Sequence, residues 1–136
     1  MIDRAKDPVG YAREVVGRPP LAGRLGIKVQ EVRDSYALTS ITITEQHCNA
    51  EARAHGGVLF ALADQAFAVA VHAKGYRGYA LEIKINFFEA AFPGDVVLAE
   101  ATPIDIRKRV SLWNVELRKN TGEKIGVAQG LGYHIA

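Results

Sequence analysis

The segment that most constrains this chain is an apolar run with one carboxylate in its middle, Gly56 to Val71, entered through His55. Its only strongly polar side chains are Asp64 and Gln65. A run of this length makes about four helical turns and has no polar face to turn toward water. A helix that is hydrophobic all round belongs inside a fold. A carboxylate buried there must be hydrogen-bonded, protonated or used, because an unpaired charge in an apolar setting is costly.

The rest of the chain has the material to bury such a helix. With 136 residues, 49% of them hydrophobic and 24% charged, it reads as one globular domain over 1–136. Cys48 is the only cysteine, which removes an intramolecular disulfide and suits a reducing compartment. A net charge of +2 is too small to point to nucleic acid. The first twenty residues mix Asp3, Arg4, Lys6, Asp7, Arg13 and Glu14, so no secretory leader is expected there. The Gly56–Val71 run falls short of the roughly 20 apolar residues of a membrane span. A cytoplasmic protein without a membrane partner is the expectation.

Composition and turn residues give the order of elements. Residues 3–16 have helical composition, stopped by Gly17 and Pro19-Pro20, which makes 1–20 a helical extension. Ile27 to Val32 and Tyr36 to Thr44 read as a hairpin around Arg33-Asp34-Ser35. His47 to Ala54 is a polar loop into the long helix, which Lys74-Gly75 ends. Leu81, Ile83, Ile85 and Phe87 alternate with Glu82, Lys84 and Asn86, the period of a half-buried strand. Pro93-Gly94-Asp95 turns into Val96–Ala101, Val110–Leu117 follows, and Asn120-Thr121-Gly122 makes the last hairpin. In the final strand Ile125, Val127, Leu131, Tyr133 and Ile135 share one face, and Gly126, Ala128, Gly130 and Gly132 the other. A face of small residues leaves room for a close neighbour or for strong curvature. The fold class is α+β, an antiparallel sheet wrapped around one helix. Such a layout leaves one side of the helix and a sheet edge poorly covered, which dimerisation would remedy.

Several residues could carry chemistry. His55-Gly56-Gly57 is either a tight loop-to-helix turn or an oxyanion hole, since the first N–H groups of a helix have no intrahelical acceptor and lie at its positive end. Asp64 is either a structural carboxylate or a base or nucleophile in a pocket whose desolvation would raise its pKa. Gly56 and Asp64 are eight residues apart, about 12 Å along a helix. Both cannot act on one carbon from the same helix. If both are catalytic, Gly56 of one chain meets Asp64 of another across two antiparallel helices. Asn49 could position water or be a turn residue, and His55 could donate to a carbonyl or brace the loop. Arg107-Lys108-Arg109 is either a solvated turn or a phosphate clamp. His47 and Cys48 are adjacent, but no further Cys or His lies at metal-ligand spacing, and no metal or cofactor is expected.

The pattern Asn49-x5-His55-Gly56-Gly57-x6-Asp64, followed by a long antiparallel run, resembles the hotdog-fold acyl-CoA thioesterases, in particular the phenylacetate-degradation (PaaI) type. The likeness runs from about Leu25 to the C-terminus, and Ile85-Asn86-Phe87 and Gly94-Asp95 match the strand and turn of that family. The chain has Glu89-Ala90 where the family often has Arg-Pro, and Ala80 or Leu81 where a hydroxyl residue is common. The resemblance implies that Asp64 attacks the thioester or activates water, that the Gly56 N–H polarises the carbonyl, and that Asn49 and His55 line the site. It implies a homodimer with shared sites, commonly assembled as a homotetramer, and an acyl-CoA substrate with an aryl-acyl or medium-chain group. Arg107, Lys108 and Arg109 would hold the nucleotide. Phe60, Phe67, Phe87 and Phe88 are candidate pocket walls or core. Two other readings stand beside hydrolysis: a hotdog hydratase or dehydratase, and a non-catalytic acyl-CoA-binding module.

Overall fold

The sheet begins with a two-residue turn at Asp34-Ser35, where Ser35 takes a φ of 58°. Short polar residues tolerate that left-handed region better than branched ones. The two residues join β1 (Lys28–Arg33) to β2 (Tyr36–Thr42), with Arg33 opposite Tyr36. β2 stops short of Thr44 because Thr44 opens a 3-10 turn, Glu45–His47, through a reciprocal capping box with His47. The computed structural model describes residues 1–135. In it β3 (Arg77–Phe87), β4 (Val96–Ile106), β5 (Val110–Lys119) and β6 (Lys124–Ile135) complete one antiparallel sheet, in the order β1-β2-β4-β5-β6-β3. The helix α3 (Gly56–Ala73) packs against one face of it, which is the hotdog fold.

Burial alternates along the central strands as period 2 requires. Ala37, Thr39 and Ile41 of β2, Val97, Ala99 and Ala101 of β4, and Trp113, Val115 and Leu117 of β5 are buried. They meet Leu59, Leu62, Ala66, Phe67, Val69 and Ala70 of α3. Each large side chain so buried contributes about 1.5–3 kcal/mol. The small face of β6 is the helix-facing one. A Cβ at Gly130 would come within 3.0 Å of three Phe67 ring atoms, so Phe67 is the close neighbour that this face admits.

The N-terminal region departs from the expected single helix over 3–16. Asp7 caps a four-residue helix α1 (Pro8–Tyr11), its Oδ1 accepting from Gly10 N–H at 2.9 Å. A π-helical turn, Ala12–Val16, follows. Pro19-Pro20 does more than stop the chain: Pro20 opens α2 (Pro20–Leu25), and a proline at the first helical position has its φ already set. The extension is tied to α3 by Gln65 Nε2, which donates to the Val16 carbonyl at 2.6 Å. Part of the exposed helix side is therefore covered by the chain's own N-terminus.

The strand β3 also differs from expectation. A register shift between Ala80 and Glu82 interrupts its pairing with β6, and Tyr79, Leu81 and Phe87 stay at least half exposed. It is an edge strand whose apolar side chains lack cover within the chain. On α3 the side chains of Phe60, Asp64, Ala68 and His72, spaced by four, form the stripe that the core does not enclose.

Candidate active site

Asp64 lies on that open stripe. It faces a pocket of about 330 Å³, mouth included, with walls from Phe67, Ala68, Val71 and His72 of α3, Gly78, Tyr79 and Ala80 of β3, and Gly132 of β6. These walls are mostly apolar, and burial pushes the Asp64 carboxyl above its ordinary value of 3.8. Desolvation is the cause, and among the described residues no hydrogen bond or cation offsets it. Phe67 and Ala80 face each other across α3 and β3 as two of these walls.

His72 shares the pocket and is a member that the sequence reading missed. Its Nδ1 donates to the Ala68 carbonyl at 2.9 Å, which leaves Nε2 with a lone pair in the neutral ring. Burial lowers its pKa, the Ala68 hydrogen bond works the other way, and Arg4 and Arg77 add to the lowering. It stands eight residues beyond Asp64, about 12 Å along the axis. That is too far for the two to act as acid and base on adjacent carbons, which counts against a hydratase.

The helix start is a second locale. The side chain of His55 caps α3, Nδ1 accepting from Gly57 N–H at 2.8 Å, so the histidine braces the turn. Val58 and Leu59 donate to the His55 carbonyl, while Gly56 N–H has no acceptor among the described residues, as expected at a first helical position. Gly56 lines a pocket with Asn49, Arg53, Leu59, Phe87 and Phe88, among others; His55 and Phe60 are not among its walls. The Asn49 Oδ1 accepts from Glu51 N–H at 2.9 Å and Arg53 N–H at 3.2 Å, so its oxygen holds the loop. No residue lines both pockets. Within one chain, Asn49 and Gly56 come together at one end of the α3–β3 groove and Asp64 stands apart from them.

Arg107, Lys108 and Arg109 form the exposed β4–β5 turn. Arg107 Nε donates to Asp105 Oδ2 at 2.9 Å. The backbone of the turn is pinned by His134, whose Nδ1 donates to the Lys108 carbonyl at 3.1 Å and whose N–H donates to the Arg109 carbonyl at 2.7 Å. His134 is buried and stacks on Tyr76 with ring centroids 3.8 Å apart. Its Nε2 lies 2.7 Å from Ser111 Oγ, which accepts from Trp113 Nε1 at 2.7 Å. Because a carbonyl only accepts, Nδ1 carries a proton, and Nε2 shares its hydrogen bond with the Ser111 hydroxyl. Pairing of Val110 and Tyr79 with Tyr133, and of Gly78 with His134, puts the turn at the end of the sheet where β3 begins, on the His72 side of Asp64, outside the walls of its pocket.

His47 is structural, Nε2 donating to the Leu25 carbonyl at 2.8 Å while Nδ1 accepts from Thr44 N–H. Among the described residues no group of three His, Cys, Asp or Glu side chains converges.

Comparison with known proteins adds to this geometry. A family model described as "Thioesterase superfamily" matches residues 52–125. The acyl-coenzyme A thioesterase PaaI of Escherichia coli is 30% identical over 114 residues, covering 84% of this chain and 81% of that protein. A structure of the Escherichia coli PaaI protein from the phenylacetic acid degradation operon superposes with a TM-score of 0.91 at 26% identity, covering 98% of this chain and 97% of that one. The TT0310 protein of Thermus thermophilus superposes with a TM-score of 0.83 at 30% identity, covering 87% of this chain and 99% of that one.

Proposed function

The chain belongs to the thioesterase superfamily, with the hotdog-fold acyl-CoA thioesterases of the PaaI type, and from that membership we propose that it hydrolyses an acyl-CoA to the free acid and CoA through Asp64. The observation that carries the role of Asp64 is its setting: a carboxylate without a partner among the described residues, raised by desolvation, at the wall of an apolar pocket. In the proposed step Asp64 takes a proton from water as the water oxygen bonds to the thioester carbon. The carbonyl oxygen gathers charge against a Gly56 N–H. Collapse restores the carbonyl, breaks the C–S bond and expels the CoA thiolate, which takes up the proton. The apolar walls around Phe67, Ala68 and Val71 suit an aryl-acyl or medium-chain group, and the name of the Escherichia coli relative supports the CoA ester.

Helical rise separates the two halves of this machinery, so the reading requires a second copy. Its Gly56, Asn49 and His55 would stand at the first copy's Asp64. The open stripe of α3 and the exposed apolar residues of β3 supply a surface for that pairing. Lys108 and Arg109, whose side chains form no ion pair among the described residues, are assigned to the CoA phosphates together with Arg107.

Thiol release from phenylacetyl-CoA and straight-chain acyl-CoAs tests the assignment. The Asp64→Asn variant should lose about 10²- to 10⁴-fold in kcat; unchanged turnover would sink it. A single turnover in oxygen-18 water reads the mechanism, with label expected in the product acid and none in the Asp64 carboxylate.

A further inference from the structure

We propose that Arg4 and Arg77 form a subsite for a carboxylate at the far end of the acyl group, so that the preferred substrate is an acyl-CoA whose chain ends in an anion. The inference rests on reading the Asp64 pocket as the acyl pocket, and it concerns the opposite end of that pocket from the chemistry.

Arg4 precedes α1 and Arg77 opens β3, yet both line one surface pocket with Asp3, Tyr11 and Tyr76. Neither guanidinium forms an ion pair among the described residues. The acid at hand, Asp3, already accepts from Ala5 N–H at 2.8 Å. Arg4 stacks over the Tyr11 ring, 4.9 Å from its centroid, and reaches the Tyr11 hydroxyl only at 3.4 Å. Its Nε is buried and has no hydrogen-bond partner among the described residues. Buried donors in folded proteins are normally satisfied, and a guanidinium carries five in a fork that matches a planar carboxylate. Two such cations in one pocket, one with a buried donor unused, form a receptor for an oxyanion.

The position of the pair tells which oxyanion. His72 lines the Asp64 pocket, and both arginines act on it electrostatically. Gly78, next to Arg77, lines the same pocket. Arg77 therefore stands beside the His72 end of that pocket, with Arg4 in the adjoining one, and His72 lies about 12 Å along the helix from Asp64. A fully extended backbone covers roughly 3.3–3.6 Å with three bonds, so about ten bonds span the distance. An acyl chain of that order, with its thioester carbon at Asp64, brings its last atoms to Arg77 and Arg4. The walls between are Phe67, Ala68 and Val71, which accept methylenes. They would leave the amides of a pantetheine arm without partners, and burying unpaired amides is costly.

The test compares suberyl- and sebacyl-CoA with octanoyl- and decanoyl-CoA in the wild type, Arg77→Gln, Arg4→Gln and the double variant. The wild type should favour the carboxylate-ended esters in kcat/KM. The Arg→Gln variants should erase roughly ten- to a hundredfold of that preference while the neutral esters are hydrolysed as before. Arg77→Gln alone, at an exposed strand start, keeps the test open if Arg4→Gln folds poorly. A preference that is absent, or unmoved in the variants, overturns the subsite and leaves the thioesterase reading standing. Equal losses for both ester classes and for binding of free CoA would place nucleotide phosphates there and overturn it too. Calorimetric binding of the same esters to Asp64→Asn reads the preference without turnover. If Asp64→Asn hydrolyses like the wild type while that binding preference persists, the base assignment fails and the subsite survives.

Discussion

At the scale of single residues the proposed reaction rests on two groups, a half-buried carboxylate and an N–H without an acceptor among the described residues. Asp64 has its pKa raised by burial alone, so the fold favours its neutral form. The stability it confers is full below its ordinary value of 3.8 and is lost as pH rises through the raised folded value. Asp64→Asn should therefore melt higher than the wild type at neutral pH. That gain should shrink as pH falls through this window and vanish at its lower edge; thermal melts of both proteins across pH read it directly. Activity should run the other way. A base must be ionised, so the acid limb of kcat/KM should lie above the normal carboxylate range and be absent in the residual activity of the variant. Gly56 permits a similarly clean separation. A Cβ there would meet the Phe87 ring at 3.4 Å, an ordinary contact, so Gly56→Ala should keep near wild-type turnover. Proline at this first helical position removes only the N–H, and His55, at φ −63° and ψ 137°, already has the conformation that a following proline demands. Gly56→Pro should fold and lose about 10²- to 10³-fold in kcat.

Among the elements, the contact between α3 and β6 is one that the sequence announces. The alternating Gly126, Ala128, Gly130 and Gly132 signalled a close neighbour, and Phe67 fills that place. Gly130→Ala should destabilise by about 1–3 kcal/mol through overpacking. Phe67→Leu should relieve part of that in the double variant, and a denaturant-based double-mutant cycle measures the coupling. Other elements were less legible, for identifiable reasons. Alternation in Leu81–Phe87 indicated a strand but not that β3 would lie at the sheet edge, because neighbours of an edge are set by topology. Pro19-Pro20 reads equally as a stop and as a start. The Trp113–Ser111–His134 chain joins residues up to 23 positions apart, which no local pattern reveals. Each of its side-chain nitrogens and its hydroxyl has a partner. Ser111→Ala would leave a buried Trp113 Nε1–H and His134 Nε2 without partners. It should cost about 2 kcal/mol or more and loosen the Arg107–Arg109 turn, read as a lower melting temperature and faster amide exchange at Arg109 and Val110.

At the scale of the whole molecule the opening conflict takes a different form. The run from Gly56 to Val71 is not enclosed on every side. The sheet covers its core face, the N-terminal extension holds it through Gln65, and the stripe from Phe60 to His72 remains. Hydrophobic residues on that stripe and on β3 make up for what the sheet leaves uncovered only if a second copy meets them. A two-fold pairing contacts the same patch on both chains, which brings Gly56 of each to Asp64 of the other when the helices run antiparallel. Neither Asp64→Asn nor Gly56→Pro should then be active alone. In a heterodimer of the two, one site receives Asp64 from the proline chain and Gly56 from the asparagine chain, and the other site receives both defects. With random exchange half of the dimers are mixed and each has one intact site, so activity should return to about a quarter of the wild-type value. Subunit exchange confirmed by native mass spectrometry, with no recovery of thiol release, would show that each chain works with its own glycine or that the glycine does not act. Recovery that rises and falls with the mixing ratio, peaking at equal amounts, would place one catalytic centre across two chains.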